Sequence, residues 1–184
     1  MDFLVLKLEI PGTELFDEET QEFISLRPTT LQLEHSLIAL SRWESKWKKP
    51  FLVDQVKTRE ETLDYFVCMS LSTSVDELVF KHLTEEQFQE IQEYILDPMT
   101  ATTFSESGRS KKTSEQVTSE LIYYWMTTYN IPFEAQKWHI NRLLTLIRVC
   151  TVKNSPEKKM NPRAAASMQR ELNEKRRKAL GTKG

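Results

Sequence analysis

Histidine is the residue type here with the widest chemical use, but its spacing argues against catalysis and metal binding. His35, His82 and His139 lie far apart, and none belongs to an HExxH pair or another ligand-spaced cluster. The four glycines are too scattered for a phosphate-binding loop, and the GxGxxG, GxxxxGKS/T and GxSxG patterns are missing. The sequence therefore predicts no catalytic residues, no metal site and no cofactor, and favours a protein that is not an enzyme.

The paired glutamates and the two cysteines are predicted to have structural roles. Glu60 and Glu61, like Glu85 and Glu86, fall in the first turns of predicted helices, where the positive end of the helix dipole favours them. Two cysteines, at positions 68 and 150, form no CxxC pattern, so we expect two buried, reduced thiols.

Charge is distributed unevenly along the chain. Residues 1–152 contain 15 basic and 24 acidic side chains, whereas residues 153–184 contain ten basic and three acidic ones. An acidic body thus carries a basic C-terminal extension, which can bind an acidic protein surface or nucleic acid, or only keep the chain soluble. We favour a protein partner, because aromatic residues that stack on bases are missing from the extension.

A second candidate contact is the hydroxyl-rich stretch 99–112, which predicts a loop with one large apolar residue, Phe104. Together, the loop and the extension give the candidate partner-binding residues: Phe104, Lys111, Lys112, Lys158, Lys159, Arg163, Arg170, Lys175, Arg176 and Arg177.

The N-terminal residues predict a small β element. Residues 3–10 are rich in β-branched and apolar side chains, and we expect them to pair with residues 21–26 in a hairpin spanning residues 1–27. Apolar residues then recur at helical spacing from Leu33 through Leu37, Leu40 and Trp43 to Trp47, and Pro50 ends this helix.

Capping boxes predict three further helix starts. Thr58 with Glu61, Thr84 with Gln87, and Thr113 with Gln116 each precede an apolar repeat. Pro132 suits the first turn of a last helix that reaches residue 151. We expect the helices at 114–129 and 132–151 to form the middle of the core, and the aromatic residues Trp43, Trp47 and 123–125 to pack inside it.

These patterns predict a mainly α fold, with a single domain of about five helices over residues 1–155 and a small N-terminal two-stranded β element. Residues 156–184 form a basic C-terminal extension that we expect to be flexible alone and able to become helical when bound. No apolar stretch approaches the roughly 18 residues of a membrane span, and no signal peptide pattern begins the chain, so a membrane location is not expected.

Four stretches resemble a family of small proteins encoded among the virion and tail genes of tailed bacteriophages with long non-contractile tails. They are TLQLEHSLIALSRWESKWKKPFL (30–52), EETLDYFVCMS (60–70), DPMTATTFSE (97–106) and SELIYYWMTTYNIPFEAQKWHINRLLTLIRVCTVKNSPEKKM (119–160). In size and helicity these proteins are similar to tail assembly chaperones.

The resemblance implies a non-catalytic protein of the host cytoplasm that coats the tape measure protein of the same phage until tail tube subunits replace it. It implies no specific binding residues. We expect a homo-oligomer, and the tail tube protein is a further candidate partner. The alternatives are a structural phage component, such as a head-tail connector or tail-completion protein, and a nucleic-acid-binding accessory protein that uses the basic extension.

Overall fold

The computed structural model of the chain describes residues 5–17, 21–53, 55–72, 75–104, 116–154 and 162–181. These residues form four β-strands, seven α-helices and one 3₁₀ helix. In chain order they are β1 (Leu6–Ile10), β2 (Thr13–Asp17), β3 (Glu22–Leu26), β4 (Thr29–Leu33), α1 (Leu37–Trp47), α2 (Arg59–Met69), α3 (Leu78–Lys81), α4 (Glu85–Leu96), α5 (Ser119–Thr128), the 3₁₀ helix (Phe133–Lys137), α6 (Ile140–Asn154) and α7 (Pro162–Leu180). The protein is mainly α-helical with a small N-terminal antiparallel β element, as the sequence predicts.

The β element is a long two-stranded hairpin rather than the short one predicted. β1 pairs with β4, and β2 pairs with β3. The register continues unchanged across the gap between the two ladders, because Ile10 lies opposite Thr29 and Thr13 lies opposite Leu26. The predicted pairing of residues 3–10 with 21–26, and the predicted hairpin end at residue 27, are therefore wrong.

Proline explains the interruption of the hairpin. The continuous register sets Pro11 opposite Pro28, and neither residue has the backbone N–H that a β ladder needs. Next to them, a Cβ atom on Gly12 would lie 2.8 Å from Cδ of Pro28 and 3.2 Å from the carbonyl oxygen of Leu26. Glycine is required here because the facing strand comes too close for a side chain.

Helix α1 begins later than the apolar repeat suggests. Leu33 ends β4 instead of starting the helix, and Ser36 is the N-cap, with its hydroxyl accepting from the N–H of Ala39. The predicted stop is confirmed: Lys48 takes a left-handed conformation (φ 55°), and its N–H bonds the carbonyl oxygen of Glu44 at 2.8 Å. This αL cap satisfies a carbonyl group at the helix end.

Two of the three predicted capping boxes are confirmed. Thr58 and Glu61 begin α2, and Thr84 and Gln87 begin α4, each with both reciprocal hydrogen bonds. The third is wrong, because α5 begins only at Ser119, so that Gln116 lies before the helix. Its other member, at position 113, lies outside the described residues.

The predicted helix from Pro132 is also wrong as a continuous element. A 3₁₀ helix comes first, residue 138 is extended, and α6 starts at Ile140. The reason is tertiary pairing: His139 forms a β-bridge with Ser36, and the N–H of Ile140 donates to the carbonyl oxygen of His35 at 2.8 Å. These bonds require extended backbone where local periodicity favours a helix.

Two hydrophobic clusters form the core, and α1 contributes to both. The hairpin cluster joins the hairpin, α2, α3 and α4 to Ala39 and Trp43 of α1. The C-terminal cluster joins α5, the 3₁₀ helix and α6 to Leu37 and Leu40. The middle of the core is therefore α1, and not the pair of later helices that we predicted.

The prediction that these aromatic side chains pack inside the core is confirmed only in part. Trp43 is buried and its indole N–H donates to the carbonyl oxygen of Glu61 at 2.8 Å. Trp47 is half-buried and donates to a carboxylate oxygen of Asp64 at 2.7 Å. Tyr124, expected to be buried, is exposed.

The basic extension contains one long helix. The chain divides into two compact units, Met1–Cys150 and Thr151–Gly184, and the second contains α7. Every side chain that the structure describes in α7 is exposed. Among the described helices, none has the length and apolar composition that crossing a membrane requires.

Candidate partner-binding surface

Two of the three histidines meet inside the body, although they lie more than 100 residues apart and form no spaced motif. His35 follows β4 and His139 precedes α6, and their ring centroids lie 4.8 Å apart. The His35 ring hydrogen-bonds the Tyr65 hydroxyl at 2.6 Å, and the N–H of His35 donates to the Tyr94 hydroxyl at 3.1 Å. This histidine cluster links α2, α4 and the starts of α1 and α6.

Burial keeps the histidine cluster neutral. It lowers the pKa of His35 to about 3, with a smaller contribution from His139, and it also lowers the pKa of His139. Nε2 of His139 donates to the carbonyl oxygen of Tyr94 at 2.9 Å, so Nδ1 carries the lone pair, and it has no hydrogen-bond partner among the described residues. Both rings are enclosed by protein, so the cluster contributes to the packing of these elements.

A buried carboxylate connects α1 to two other parts of the body. Glu44 accepts from the N–H of Phe51 and from the N–H of Ser119, both at 2.8 Å. Ser119 is the first residue of α5, whose N-cap, Thr118, makes no side-chain capping bond. Glu44 therefore satisfies the N–H of Ser119 at the start of α5, where Thr118 makes no side-chain capping bond.

The two cysteines are free but only half-buried, so the prediction of buried thiols is correct only in part. Burial raises the pKa of Cys68 to about 11, which keeps this thiol protonated at neutral pH. Among the described residues, no group of three or more histidine, cysteine, aspartate or glutamate side chains could hold a metal ion.

The structure separates the candidate partner-binding residues. Phe104 is half-buried, and the guanidinium of Arg148 lies 4.1 Å from its ring centroid. Arg163 lies in α7, although its side chain is not among those described. The four further candidates in α7 are exposed: Arg170, Lys175, Arg176 and Arg177. The lysines proposed at positions 111, 112, 158 and 159 lie outside the described residues.

Helix α7 is amphipathic. Met168 and Leu172, one turn apart, are 55% and 41% exposed. Lys175 and Lys178 form ion pairs of 2.9 Å with Glu171 and Glu174, each one turn earlier. Surface pairs of this kind stabilise a helix by only about 0.3–0.5 kcal/mol each. The helix thus presents a narrow apolar strip beside a strongly basic surface.

A groove on the body is a second exposed apolar feature, and sequence patterns did not suggest it. Its volume is about 330 Å³, and its lining comes from α2, α4 and the segment between α1 and α2. The lining residues are Phe51, Lys57, Thr62, Tyr65, Phe66, Gln92, Ile95 and Leu96. Leu96 is 77% exposed, a high value for a leucine. We call this feature the α2–α4 groove.

Acidic side chains form a separate feature of α4. Glu86, Glu90, Glu93 and Asp97 are all exposed and follow one another at intervals of four, three and four residues along and just after α4. That spacing places them on one face of the helix, which we call the acidic stripe. Of these four residues the sequence patterns explain only Glu86, as a first-turn residue.

Comparison of the chain with protein-family models, with curated proteins and with solved structures finds no match.

Proposed function

We propose that this protein is a non-catalytic tail assembly chaperone of a tailed bacteriophage, which binds the tape measure protein in the host cytoplasm through α7. The observation that carries the proposal is α7 itself. This helix combines an exposed apolar pair, Met168 and Leu172, with six basic and two acidic residues, and it lies outside the compact unit of the body.

The resemblance of residues 30–52, 60–70, 97–106 and 119–160 to a phage tail-module family supports the biological setting. In that setting the partner is long and helical, and it must be covered until tube subunits replace the chaperone. A chaperone of this kind has to be released again, so weak contacts repeated over many copies suit it better than one tight contact.

The chemistry of α7 fits such a partner. An amphipathic helix can lay its apolar strip on the apolar face of another helix, while its cations pair with acidic neighbours. Met168 favours promiscuous packing because its side chain is flexible and polarizable. The histidine cluster also fits a binding protein, because burial keeps His35 and His139 from contact with a substrate.

The test is co-expression of the full-length chain with the tape measure protein from the same genome, followed by pull-down and size-exclusion chromatography. We expect a soluble complex that contains several copies of this protein. A chain with Met168→Asp and Leu172→Asp should lose most of the complex. The matched control, Gln169→Asp with Asn173→Asp, adds the same charge to the same helix outside the apolar strip, and it should retain binding.

Two results would contradict the proposal. If the tape measure protein is no more soluble with this protein than without it, the chaperone function is wrong. If the complex forms equally well with the Met168 and Leu172 variant, the partner does not bind through α7. Detection of this protein in purified virions by mass spectrometry would favour a structural tail or connector component instead.

A further inference from the structure

We infer that two copies of this chain pair through strand β1, edge to edge and antiparallel, so that their hairpins join in one sheet. Such a contact needs only residues of the chain itself, so it holds or fails independently of the proposed chaperone function. It gives the expected homo-oligomer a defined contact, Leu6–Ile10, and a defined register.

The bonds on the far side of β4 show how the hairpin is oriented. The carbonyl oxygen of Gln32 in β4 accepts from the N–H of Leu71 at 2.9 Å. Just after β4, the N–H of Glu34 donates to the carbonyl oxygen of Met69, also at 2.9 Å. The backbone groups of Gln32 therefore face away from β1 and towards the segment that follows α2.

This orientation determines which backbone groups of β1 face outward. Backbone groups alternate between the two sides of a strand, so Leu31, next to Gln32, directs its groups towards β1 and pairs there with Leu8. Lys7 and Glu9, on either side of Leu8, therefore direct their N–H and C=O groups to the outer edge of the hairpin.

These outward groups are available to another strand. Among the residues that the structure describes, the one bond made to them runs from the side-chain amide of Gln87 to the carbonyl oxygen of Glu9, at 3.5 Å. That bond is long, and a carbonyl oxygen can accept a second hydrogen bond. The side chains of Lys7 and Glu9 are exposed as well. An uncovered edge of this kind is a template for pairing with another chain.

Charge identifies the occupant as a second β1. When two antiparallel edges pair, outward residues must lie opposite outward residues. A contact centred on Lys7 would set two lysines against each other, and one centred on Glu9 would set two glutamates against each other. A contact centred on Leu8 instead places each Lys7 opposite Glu9 of the second copy, so that both cross-strand pairs are attractive.

The apolar face of β1 fits the same register. Leu8 and Ile10 are buried in the hairpin cluster, whereas Leu6 packs against that cluster and is half-buried. Centring the contact on Leu8 brings Leu6 beside Ile10 of the second copy, so one apolar face runs across both hairpins. Covering the rest of Leu6 removes further apolar surface from water.

The contact closes at two copies. The same residues lie on both sides of it, so the interface is isologous, with a two-fold axis between the two Leu8 residues. Pro11 follows β1 and has no N–H, which ends the pairing edge on that side. Because Gln32 on the opposite strand is already bonded to Leu71, a third copy cannot add there in the same way.

Sedimentation velocity on full-length chains, over a concentration series reaching roughly 100 µM, measures the association. The wild-type chain should dimerise. Lys7→Glu and Glu9→Lys each turn both attractive pairs into repulsive ones, so each variant should dimerise roughly tenfold more weakly. Lys137→Glu and Glu134→Lys make the same changes of charge at exposed positions on the 3₁₀ helix, and they should dimerise like the wild type.

Exchanging the two charges tests the register directly. A chain with both Lys7→Glu and Glu9→Lys again places opposite charges across the axis, so it should dimerise like the wild type. An equimolar mixture of the two single variants should also recover association, because one copy then supplies two acidic side chains and the other two basic ones. A double variant or a mixture that associates no better than the single variants overturns the inference.

A proline variant tests the backbone bonds. Lys7→Pro removes an outward N–H, and proline is tolerated on an edge strand where that N–H faces solvent, so the far-UV circular dichroism spectrum should be preserved. Lys7→Ala, the matched control, removes the same charge but keeps the N–H. The proline variant should dimerise roughly tenfold more weakly than the alanine variant. Equal association of the two, or a wild-type chain that stays monomeric at every concentration, overturns the inference.

Discussion

Glu44 shows how one side chain can organise several elements. It lies on α1, and its two carboxylate oxygens accept from backbone N–H groups in the segment after α1 and at the start of α5. The bond to Ser119 is shielded from water, because Glu44 and Ser119 are buried, whereas the bond to Phe51 is part-buried. Hydrogen bonds to a charged acceptor contribute more to stability than neutral ones, by roughly a factor of two.

We predict that Glu44→Gln lowers the free energy of unfolding by roughly 1–3 kcal/mol, because the amide can accept with only one of its two ends and leaves a buried N–H unpaired. Urea denaturation measures the loss. The matched control is Glu90→Gln, an exposed position, which should change stability by less than about 0.5 kcal/mol. Equal losses in the two variants would mean that Glu44 does not act through these bonds.

The histidine cluster makes stability depend on pH. Burial lowers the pKa of His35 to about 3 and also lowers the pKa of His139, whereas an unfolded histidine titrates near 6.5. Above that pH both states are neutral and the cluster keeps its full contribution. As the pH falls below it, the unfolded state binds protons that the native state excludes, so the native state is destabilised.

We therefore predict that the free energy of unfolding falls by up to about 1.4 kcal/mol per pH unit for each of the two histidines below about pH 6.5. For His35 this loss should continue down to about pH 3. Denaturant titrations between about pH 7 and pH 5 measure the slope. His139→Gln should reduce the slope, and His82→Gln, at an exposed position, should leave it unchanged. A flat profile in the wild type would contradict this assignment.

The first turn of a helix can be stabilised by residues close in sequence or by a residue far away in the chain. The capping boxes of α2 and α4 are local, since both partners lie within four residues of one another. The start of α5 is not local, because its N-cap Thr118 makes no side-chain capping bond and Glu44 contributes instead. A threonine N-cap is therefore expected to contribute more to the free energy of unfolding at α2 and α4 than at α5.

We predict that Thr58→Ala and Thr84→Ala each lower the free energy of unfolding by about 1 kcal/mol, because each removes a hydroxyl that accepts from a backbone N–H in the first turn. Thr118→Ala is the matched control and should cost less, since no such bond is lost. Thermal and chemical denaturation of the three variants would measure the difference. A Thr118 variant as destabilised as the other two would contradict the non-local cap.

At the scale of the whole molecule, the chain divides into a body, Met1–Cys150, and a second unit, Thr151–Gly184, that contains α7. The body contains both hydrophobic clusters, whereas the described side chains of α7 are all exposed. A helix with so little buried apolar surface adds little to the stability of the body.

We predict that ending the chain after residue 155 changes the free energy of unfolding of the body by less than about 0.5 kcal/mol, because the deleted helix buries no described side chain. Chemical denaturation at a concentration where the full chain is monomeric provides the measurement. The far-UV circular dichroism signal per molecule should fall, since α7 is lost. A large loss of stability would show that the extension is part of the body's fold.

Features that depend on near neighbours could be predicted from the residue pattern. The mainly α class, the helical stripe through Leu37, Leu40 and Trp43, and the capping boxes of α2 and α4 were all predicted correctly. The uneven charge and the candidate cations of α7 could be counted directly. Each of these depends on residue type and on spacings of a few residues, which chain geometry fixes without tertiary contacts.

Tertiary structure decided everything that required distant residues to meet. The partner of β1 is β4, the helix after Pro132 is interrupted by the pairing of His139 with Ser36, and Glu44 reaches α5 across 75 residues. The α2–α4 groove likewise exists only because Phe51, Tyr65 and Leu96 come together from separate segments. Periodicity cannot predict such contacts, because it reports which face of an element is apolar and not which other element covers it.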